Sequence, residues 1–314
     1  MITVANIEQA ARRIEPYARI TPLIRLEALD PYVGCNAYVK LENLQVTGSF
    51  KFRGATNAAL QLSDDQLSCG LIAASSGNHG KALSYVAKML KTQATIVVPD
   101  TAAQVKVDAI AALGAKVVRC SVEERFDVAA SIAAETGGTL IPPYDDERIM
   151  AGQGTIGLEI AKQLPEADVV ITPVSGGGLL GGVACAVKAK MPHARVYGAE
   201  PLARPRWTES LKAGKRVTVK SNPTLADALV TLTPGETCFP VVSAYADGVV
   251  DVDEDALLNA AKALLMEGKI LAEYSSCIGI AAVHEGLIEV SPDDNVCFVI
   301  SGGSIGFTQI AALS

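Results

Sequence analysis

The alternation of short apolar runs with longer stretches of helical periodicity is the feature that most limits the fold of this chain. It is clearest between residues 71 and 136, where strands are predicted at 71–74, 94–98 and 116–119 and helices at 79–90, 102–113 and 123–136. A strand that is followed by a helix and a further strand favours right-handed crossovers and parallel pairing. The sequence therefore predicts an α/β fold with parallel-rich sheets that are covered by helices.

The same alternation continues on both sides of this region. Further strands are predicted at 37–41, 169–174, 196–199 and 296–300, and further helices at 49–62, 155–164, 179–190, 253–267 and 278–287. The proline-containing segment Leu202–Val249 is predicted as a loop-rich insert. This division favours a large domain of residues 1–59 and 144–314, with a small domain of residues 60–143 inserted into it.

Composition excludes several classes of partner. The 314 residues carry a net charge of −7, which disfavours nucleic acid and anionic membranes. The charge-free stretch Val169–Val187 contains Pro173 and five glycines, so it is predicted as strand, loop and helix start instead of a membrane span. The seven cysteines form no C-x-x-C pair and no signal peptide is apparent, which together predict reduced thiols in a cytoplasmic protein.

Lys51 has a distinctive setting within the segment Thr47–Ala55. It follows a Gly-Ser turn and stands between Phe50 and Phe52 at the predicted start of a helix. Burial against apolar rings disfavours the ammonium form and lowers the pKa of a lysine. Such a lysine supplies the free amine that bonds to a carbonyl cofactor. The alternative is an ordinary helix-surface lysine, and the other motifs of the chain argue against it.

The turn Ser175–Gly178 follows an apolar strand and opens a helix. Unobstructed N–H groups at a helix N-terminus form a cradle for a phosphate, whereas a tight turn at close helix packing is the structural alternative. The same turn and Gly181 also satisfy G-x-G-x-x-G, with Glu200 at the distance of a ribose-binding acid. A nicotinamide-dependent Rossmann oxidoreductase is therefore the rival interpretation, although it leaves Lys51 without a role.

The turn Ser75–Gly80 also joins a predicted strand to a helix, and it carries hydroxyl and amide side chains. Its N–H groups and serine hydroxyls are suited to hold a carboxylate. The amide of Asn78 can donate to a phenolate oxygen. A plain helix N-cap is the alternative for the turn, and a structural role is the alternative for His79.

Taken in chain order, the segment around Lys51, the turns Ser75–Gly80 and Ser175–Gly178, and the turn Ser301–Gly303 resemble the motifs of the threonine dehydratase and serine racemase family. The resemblance runs almost end to end. The family consists of pyridoxal-phosphate enzymes with the two-lobed tryptophan-synthase-β-like fold, also called fold type II. The resemblance therefore implies this fold, a pyridoxal 5′-phosphate cofactor and a homodimer.

The resemblance also implies a role for each matching residue. Lys51 is expected to bond covalently to the cofactor, with Phe50 as a wall of its pocket. Asn78 is expected to contact the 3′-oxygen of the cofactor, and Ser301 its pyridine nitrogen. The implied phosphate loop consists of Ser175, Gly176, Gly177, Gly178 and Leu179. The implied clasp for the substrate carboxylate consists of Ser75, Ser76, Gly77, Asn78 and His79.

The implied activity is a dehydratase, or ammonia-lyase, that converts a β-hydroxy-α-amino acid to a 2-oxo acid and ammonia. The free amine of Lys51 is the expected base at Cα. Two departures from the family pattern bear on the substrate: Ala228 replaces a glycine, and Tyr274 replaces a proline. The expected substrate is of the threonine or serine type. Both departures are expected near the site, so a bulkier β-hydroxy amino acid such as phenylserine is a further hypothesis.

Two further residues widen the implied range of activities. Ser76 matches the serine that serves racemases as acid and base, so serine or amino acid racemisation is an alternative activity. Arg125 matches an arginine that contacts the substrate in some relatives and can bind a second carboxylate. The alternative for Arg125 is a surface residue beside Glu123 and Glu124. A catalytically silent homologue that binds an amino acid is a third alternative.

The resemblance also places a divalent-cation site at Glu200. The acidic residue expected six positions later is Arg206, with Arg204 nearby. Since hard cations require oxygen ligands, the sequence predicts that this metal site is lost. A guanidinium is expected to neutralise Glu200 in place of the metal.

Overall fold

The structure is a computed structural model that describes residues 1–313. Ten strands occur in this range: β1 Leu23–Arg25, β2 Asn36–Leu41, β3 Leu71–Ala74, β4 Ala94–Pro99, β5 Lys116–Cys120, β6 Thr139–Leu140, β7 Val169–Pro173, β8 Arg195–Pro201, β9 Gly248–Val252 and β10 Asn295–Ile300. Short 3-10 helices lie at Glu27–Leu29 and Glu42–Leu44.

The α-helices in the first half of the described chain are α1 Val4–Ile14, α2 Asp30–Val33, α3 Lys51–Ala59, α4 Asp64–Ser68, α5 Asn78–Met89, α6 Gln104–Ala111, α7 Arg125–Thr136 and α8 Glu147–Gln163. Those in the second half are α9 Gly178–Lys190, α10 Arg206–Ala213, α11 Cys238–Tyr245, α12 Glu254–Met266, α13 Tyr274–His284 and α14 Phe307–Ala311.

Two sheets organise these elements. The large sheet has the strand order β1-β2-β10-β7-β8-β9, and every neighbouring pair is parallel except β1 with β2. The small sheet has the order β5-β4-β3-β6 and is parallel throughout. Its strands all lie between residues 71 and 140, so the strand-helix alternation correctly predicted parallel pairing in that region.

Helices cover both faces of the large sheet. One face packs against α2, α12 and α13, and the other packs against α1, α8, α9 and α11. Strand β7 is buried along its whole length because both faces are covered. Helix α3 packs its apolar side into the core of the small sheet while it also contacts α8. The predicted domain boundaries at residues 59 and 143 stay a prediction.

Helix α8 begins at Glu147, so the predicted start near Thr155 is wrong. The intervening glycines do not end the helix, because they lie where other backbones approach it closely. A Cβ on Gly152 would lie 2.7 Å from the carbonyl oxygen of Arg53, and a Cβ on Gly154 would lie 2.8 Å from that of Gly182. Glycine in a helix usually lowers its stability, but here it permits close packing.

The segment Leu202–Val249 is more regular than predicted, because it contains α10, α11 and the start of β9. Pro205 directly precedes α10, and Pro240 lies in the first turn of α11. Proline is tolerated at these positions because the first N–H groups of a helix have no intrahelical partner. These prolines therefore mark helix starts, and the longest part of this segment without helix or strand is residues 214–237.

The charge-free stretch at 169–187 forms β7, a turn and most of α9, as predicted. No helix among residues 1–313 has the length and the apolar character that crossing a bilayer requires. All seven cysteines are free thiols, and five of them are buried.

Replacing Gly152 with alanine tests the close contact between α3 and α8. The new Cβ would lie 2.7 Å from backbone atoms of Arg53 and Gly54, which cannot rotate away. We expect the free energy of unfolding to fall by about 1–3 kcal/mol, as for other overpacked sites. Chemical denaturation measures this change, and Ser131→Ala on the exposed side of α7 is the control. Equal stability of the two variants would contradict the role of Gly152.

Candidate active site

Three turns follow the carboxyl ends of parallel strands, which is where open α/β sheets place their ligands. The turn Ser75–Gly80 follows β3, Ser175–Gly178 follows β7, and Ser301 follows β10. Because β7 and β10 are parallel neighbours, their turns lie at one edge of the large sheet. The side chain of Asn78 contacts Glu273 at 3.0 Å, which brings the turn of the small sheet to the same place.

Lys51 lies beside Ser301 as the first residue of α3. Ser49 pairs with Gly302, and the N–H of Phe50 donates to the carbonyl of Ser301 at 3.0 Å. The Nζ atom of Lys51 donates to the carbonyl of Pro143 at 2.6 Å and lies 4.9 Å from the ring centroid of Phe50. Burial lowers the pKa of Lys51 to about 8, in the predicted direction.

Phe52 does not form the second wall that the sequence suggested for Lys51. Successive residues of a helix point about 100° apart, so the two neighbours face different surroundings. Phe52 is fully buried in the core of the small sheet, where its ring packs edge-on against Tyr85 with 5.7 Å between centroids. Phe50 is the aromatic neighbour of the lysine amine.

A buried ion network positions α3. The guanidinium of Arg53 donates two hydrogen bonds to Glu42, at 2.8 and 2.9 Å, and two to Glu159, at 2.6 and 3.0 Å. The ammonium of Lys40 donates to the same Glu159 at 2.5 Å. Both cations are almost fully buried. The network ties α3 to α8 and to the end of β2, and thereby fixes the start of the helix at Lys51.

The turn Ser175–Gly178 is packed tightly between two aromatic rings. A Cβ on Gly176 would lie 2.2 Å from the ring of Tyr144, and a Cβ on Gly177 would lie 2.3 Å from the ring of Trp207. Gly177 also has φ of +108°, which favours glycine. The glycines are therefore required by packing and by conformation at the start of α9.

Two helix starts, those of α9 and α5, carry backbone N–H groups without a hydrogen-bond partner in the described part of the protein. Within residues 1–313, no protein atom accepts a hydrogen bond from the N–H groups of residues 176–179, which open α9. The same holds for Ser76, Asn78 and His79 at the start of α5. Unpaired N–H groups at a helix N-terminus attract anions. These two groups are suited to hold a phosphate and a carboxylate.

His79 is buried and neutral. Its Nε2–H donates to the carbonyl of Ile141 at 2.8 Å. Burial, with a smaller contribution from the charge of Lys51, lowers the pKa of His79 to about 3. The imidazole therefore anchors the start of α5 near Pro143 and does not titrate near neutral pH. Of the same turn, Ser75 accepts from the N–H of Gly77 at 3.4 Å.

Glu273 is the site residue to which the sequence analysis assigned no role. Its carboxylate accepts from Nδ2 of Asn78 at 3.0 Å to each oxygen and from the N–H of Ser304 at 3.2 Å. The hydroxyl of Ser304 in turn donates to Oδ1 of Asn78 at 2.5 Å. Burial raises the pKa of Glu273 to about 7. Helix α13 begins at Tyr274, four residues before the predicted start at 278, so the position of Glu273 directly before a helix was not apparent, and its contact with Asn78 spans 195 residues of chain.

Ser301 is buried next to Ser276, with 3.0 Å between the hydroxyl oxygens. The hydroxyl of Ser276 also donates to the carbonyl of Gly302 at 2.9 Å and accepts from its N–H at 2.9 Å. These contacts fix the end of β10 at the site. Ser276 is a second residue that the sequence analysis left without a role.

Tyr274 does not narrow the site, so its expected effect on the substrate space is wrong. Its ring is buried in the core of the large sheet, and its hydroxyl donates to the carbonyl of Gln309 near the end of the chain. Tyr274 is the first residue of α13 and directly follows Glu273, whose carboxylate contacts Asn78. The N–H of Ala228 donates to Ser275 at 3.0 Å, which holds that segment near α13.

Arg125 is the first residue of α7 and is bound within its own turn. Its guanidinium donates to the carbonyl of Val122 and lies 4.4 Å from the ring centroid of Phe126. The assignment of Arg125 to the substrate stays a prediction.

The comparisons with known proteins agree with this arrangement. A family model described as pyridoxal-phosphate dependent enzyme matches residues 14–302. The chain belongs to this family. The L-threonine ammonia-lyase of Thermotoga maritima is 38% identical over 312 residues, which cover 99% of this chain and 77% of that protein. The serine racemase of Dictyostelium discoideum is 38% identical over 318 residues, which cover 99% and 98%. A solved structure of the T.th. threonine deaminase has a TM-score of 0.92 at 38% identity, with coverage of 98% and 99%.

These matches confirm the predicted family, its two-lobed fold type II and its cofactor, pyridoxal phosphate, and they support a lyase. The structure offers the groups that the cofactor requires. A lysine amine of lowered pKa lies at Lys51, and the free N–H groups of residues 176–179 suit the phosphate. The carbonyl of Ser301 accepts from the N–H of Phe50, and the Asn78 amide lies next to Gly302. The residues present therefore fit the cofactor.

The nicotinamide interpretation of the same glycines is wrong, because the family is that of pyridoxal-phosphate enzymes. The structure gives a second reason. Glu200, the expected ribose-binding acid, is fully buried and accepts from the N–H groups of Trp207 and Thr208 at 2.8–3.0 Å. It also pairs with Arg206 at 3.7 Å. A carboxylate with these partners is not available to a ribose.

The raised pKa of Glu273 predicts a pH-dependent stability. The carboxyl titrates near its ordinary value of 4.5 in the unfolded chain and at about 7 in the folded protein, so its ionisation costs stability as pH rises between these values. In the cofactor-free protein, Glu273→Gln should therefore gain about 2–3 kcal/mol relative to wild type between about pH 5 and pH 8. Denaturation at both pH values measures this gain. Glu135→Gln on exposed α7 is the control, and a pH-independent difference for Glu273→Gln would contradict the assignment.

Proposed function

We propose that this chain is a pyridoxal-phosphate-dependent dehydratase that converts a β-hydroxy-α-amino acid of the threonine or serine type to a 2-oxo acid and ammonia. One observation carries the proposal: the Lys51 amine, with its pKa lowered to about 8, shares one site with two sets of free N–H groups. The similarity to L-threonine ammonia-lyases and threonine deaminases supports the same reaction.

Each set of N–H groups has its own ligand in this proposal. The groups of residues 176–179 hold the cofactor phosphate, and those of Ser76, Asn78 and His79 hold the substrate carboxylate. The bound cofactor contributes electron withdrawal from the substrate, which acidifies its Cα–H bond. When the cofactor phosphate and the substrate carboxylate are both bound, they fix the position of the substrate Cα between them.

Lys51 is the base in this reaction. Its lowered pKa leaves a useful fraction of free amine near neutral pH, and that amine takes the Cα proton. The carbonyl of Pro143 orients the amine at 2.6 Å. Lys106 on α6 forms an ion pair with Asp227 at 2.9 Å. This pair joins a helix of the small sheet to the segment before Ala228, and it thereby favours a closed site that contains little water.

Ser301 favours elimination over reactions that require a long-lived carbanion. Its hydroxyl is neutral and is held by Ser276, so it does not stabilise a proton on the ring nitrogen as a carboxylate would. With the cofactor bound, a neutral hydroxyl at this position would favour prompt loss of the β-hydroxyl group from the substrate. Loss of this hydroxyl and hydrolysis of the product release ammonia and the 2-oxo acid.

The proposed substrate class is defined by the β-hydroxyl group that the elimination removes. The size of the substrate pocket does not enter this assignment. Because Tyr274 points into the core, only the methyl of Ala228 remains as a reason to expect a bulkier substrate. We therefore favour threonine or serine and retain phenylserine as the comparison. We also propose a homodimer and a cytoplasmic location, which rest on the resemblance and on the reduced cysteines.

The activity is tested by the release of a 2-oxo acid from L-threonine, L-serine and phenylserine in separate assays. Turnover by wild type and a loss of at least about 10³-fold in Lys51→Ala are expected, since the variant lacks the base. Borohydride reduction should attach the cofactor covalently to the peptide that contains Lys51. Lys81→Ala on α5 is the matched control. Full turnover by Lys51→Ala with bound cofactor would refute the assignment.

Serine racemisation is a second candidate activity. The serine racemase of Dictyostelium discoideum is as similar to the chain as the L-threonine ammonia-lyase, at 38% identity. Ser76 lies in the turn that opens α5, and within residues 1–313 its hydroxyl has no hydrogen-bond partner in the protein. A free hydroxyl in this turn is suited to exchange a proton with Cα from the side opposite Lys51.

The racemase activity is tested by chiral analysis of serine after incubation of L-serine with the enzyme. If Ser76 exchanges the proton, Ser76→Ala should lose formation of D-serine by at least about tenfold, as expected for a general acid or base, while it still releases pyruvate. Ser131→Ala on the exposed side of α7 is the control. Absence of D-serine in the wild-type reaction would leave the elimination alone.

A further inference from the structure

Arg206 is a buried cation that has no part in the reaction described above. The side chain has no exposed surface. Its guanidinium donates to three carbonyl oxygens, those of Val174 at 2.6 Å, Ser175 at 3.2 Å and Arg204 at 2.8 Å. Its fourth neighbour is the carboxylate of Glu200 at 3.7 Å. The four polar partners of the guanidinium are thus all oxygen atoms.

Glu200 organises the same cluster from the other side. Its carboxylate accepts from the N–H groups of Trp207 and Thr208, and from the hydroxyl of Thr208 at 3.0 Å. These contacts hold the first turn of α10, which begins with Arg206. Burial of two opposite charges is costly unless each is paired and hydrogen-bonded, and both conditions are met here.

We propose that Arg206 is a positioning residue for the phosphate loop, and that it supplies from within the chain the positive charge that makes cofactor binding independent of a divalent cation. The proposal rests on the cofactor, which the family establishes, and not on the identity of the substrate. It assigns to Arg206 no contact with the cofactor or the substrate.

The geometry of the peptide group explains how Arg206 acts at a distance. A carbonyl and the N–H of the next residue point in opposite directions across a trans peptide. Since the carbonyls of Val174 and Ser175 point at the guanidinium, the N–H groups of Ser175 and Gly176 point away from it. The Gly176 N–H is one of the free donors that open α9, so Arg206 sets the direction of the phosphate cradle.

Trp207 completes the support of the same turn. Its Nε1–H donates to the carbonyl of Ser175 at 2.6 Å, and its ring fills the space against Gly177. Arg206 and Trp207 are neighbours in α10 and both hold the phosphate loop. Arg206 acts through its charge and Trp207 through packing. Trp207 is the only tryptophan of the chain, so its fluorescence reports on the loop directly.

The cluster does not fit the divalent-cation site that the resemblance implied at Glu200. The guanidinium of Arg206 occupies the position between the carboxylate and the carbonyls. No group of three or more histidine, cysteine, aspartate or glutamate side chains suited to a metal ion exists within residues 1–313. The residues present therefore replace the cation instead of binding it.

The first test compares wild-type holoenzyme in EDTA with wild-type holoenzyme in Mg²⁺ or Ca²⁺. Equilibrium dialysis measures the dissociation constant of pyridoxal phosphate, and Trp207 fluorescence follows its release. If Arg206 supplies the charge, the constant should change by less than about twofold between EDTA and about 5 mM cation, a concentration that fills even weak calcium sites. Binding that tightens by about tenfold or more with either cation would overturn the proposal.

The second test removes the charge at nearly constant volume. Arg206→Met should weaken cofactor binding by about tenfold or more, because several charge-assisted hydrogen bonds to the loop are lost. The matched control is Arg204→Met. The Arg204 guanidinium binds the carbonyls of Asn222 and Val230 and does not contact the loop. Similar constants for Arg206→Met and Arg204→Met would overturn the proposal.

Rescue separates positioning by charge from simple packing. Arg206→Lys retains the charge and should bind the cofactor within about tenfold of wild type. Arg206→Ala leaves an oxygen-lined space, and recovery of its affinity by Ca²⁺ would likewise support the proposal. A loss that neither lysine nor Ca²⁺ restores would assign the residue to packing and refute it. If circular dichroism shows that Arg206→Met does not fold, Arg206→Lys and the wild-type cation series decide the question.

Discussion

The buried pairing of Arg53 with Glu42 and Glu159 is the interaction on which the candidate site depends. Removing one partner of such a network leaves an uncompensated charge in the interior, at a cost of about 3–5 kcal/mol. Both carboxylates are fully paired, because every carboxylate oxygen of Glu42 and Glu159 already accepts a hydrogen bond from a buried donor. The network therefore fixes both the rotation of α3 about its axis and its position along α8. Because Lys51 lies two residues before Arg53 in α3, the network also sets the position of Lys51.

From that fixed point the site is assembled from helix starts. Lys51 opens α3, Asn78 opens α5, and Gly178 opens α9. A helix start presents free N–H groups and positive potential, which suits a cofactor phosphate and a substrate carboxylate. The supporting contacts come from elsewhere: Glu273 orients Asn78, and Arg206 with Trp207 holds the turn before α9. Buried charges thus support a site that presents free backbone N–H groups.

The local sequence pattern predicted the secondary structure correctly wherever hydrophobic periodicity alone decided it. The strands and helices between residues 71 and 136 follow the prediction closely because the apolar runs that form β3 and β4 are buried in a parallel sheet. It failed where glycine and proline serve long-range packing. Gly152 and Gly154 looked like a helix boundary because glycine is a poor helix former, yet they let α3 and α9 approach α8. Pro205 and Pro240 looked like loop residues, yet they begin helices.

The sequence by itself determined the α/β class and the strand-helix order between residues 71 and 136, because periodicity is a local property of the chain. Its short motifs resembled a family that the comparisons confirm together with its cofactor, whereas Lys51, Asn78, Ser175–Leu179 and Ser301 remain predicted site residues. Only the tertiary structure decided which side chains face the site. It brought Glu273 to Asn78 and Arg206 to Ser175, and it directed Tyr274 and Phe52 into the cores. The physical reason is that side-chain direction and burial depend on contacts between residues far apart in sequence, and no local pattern contains them.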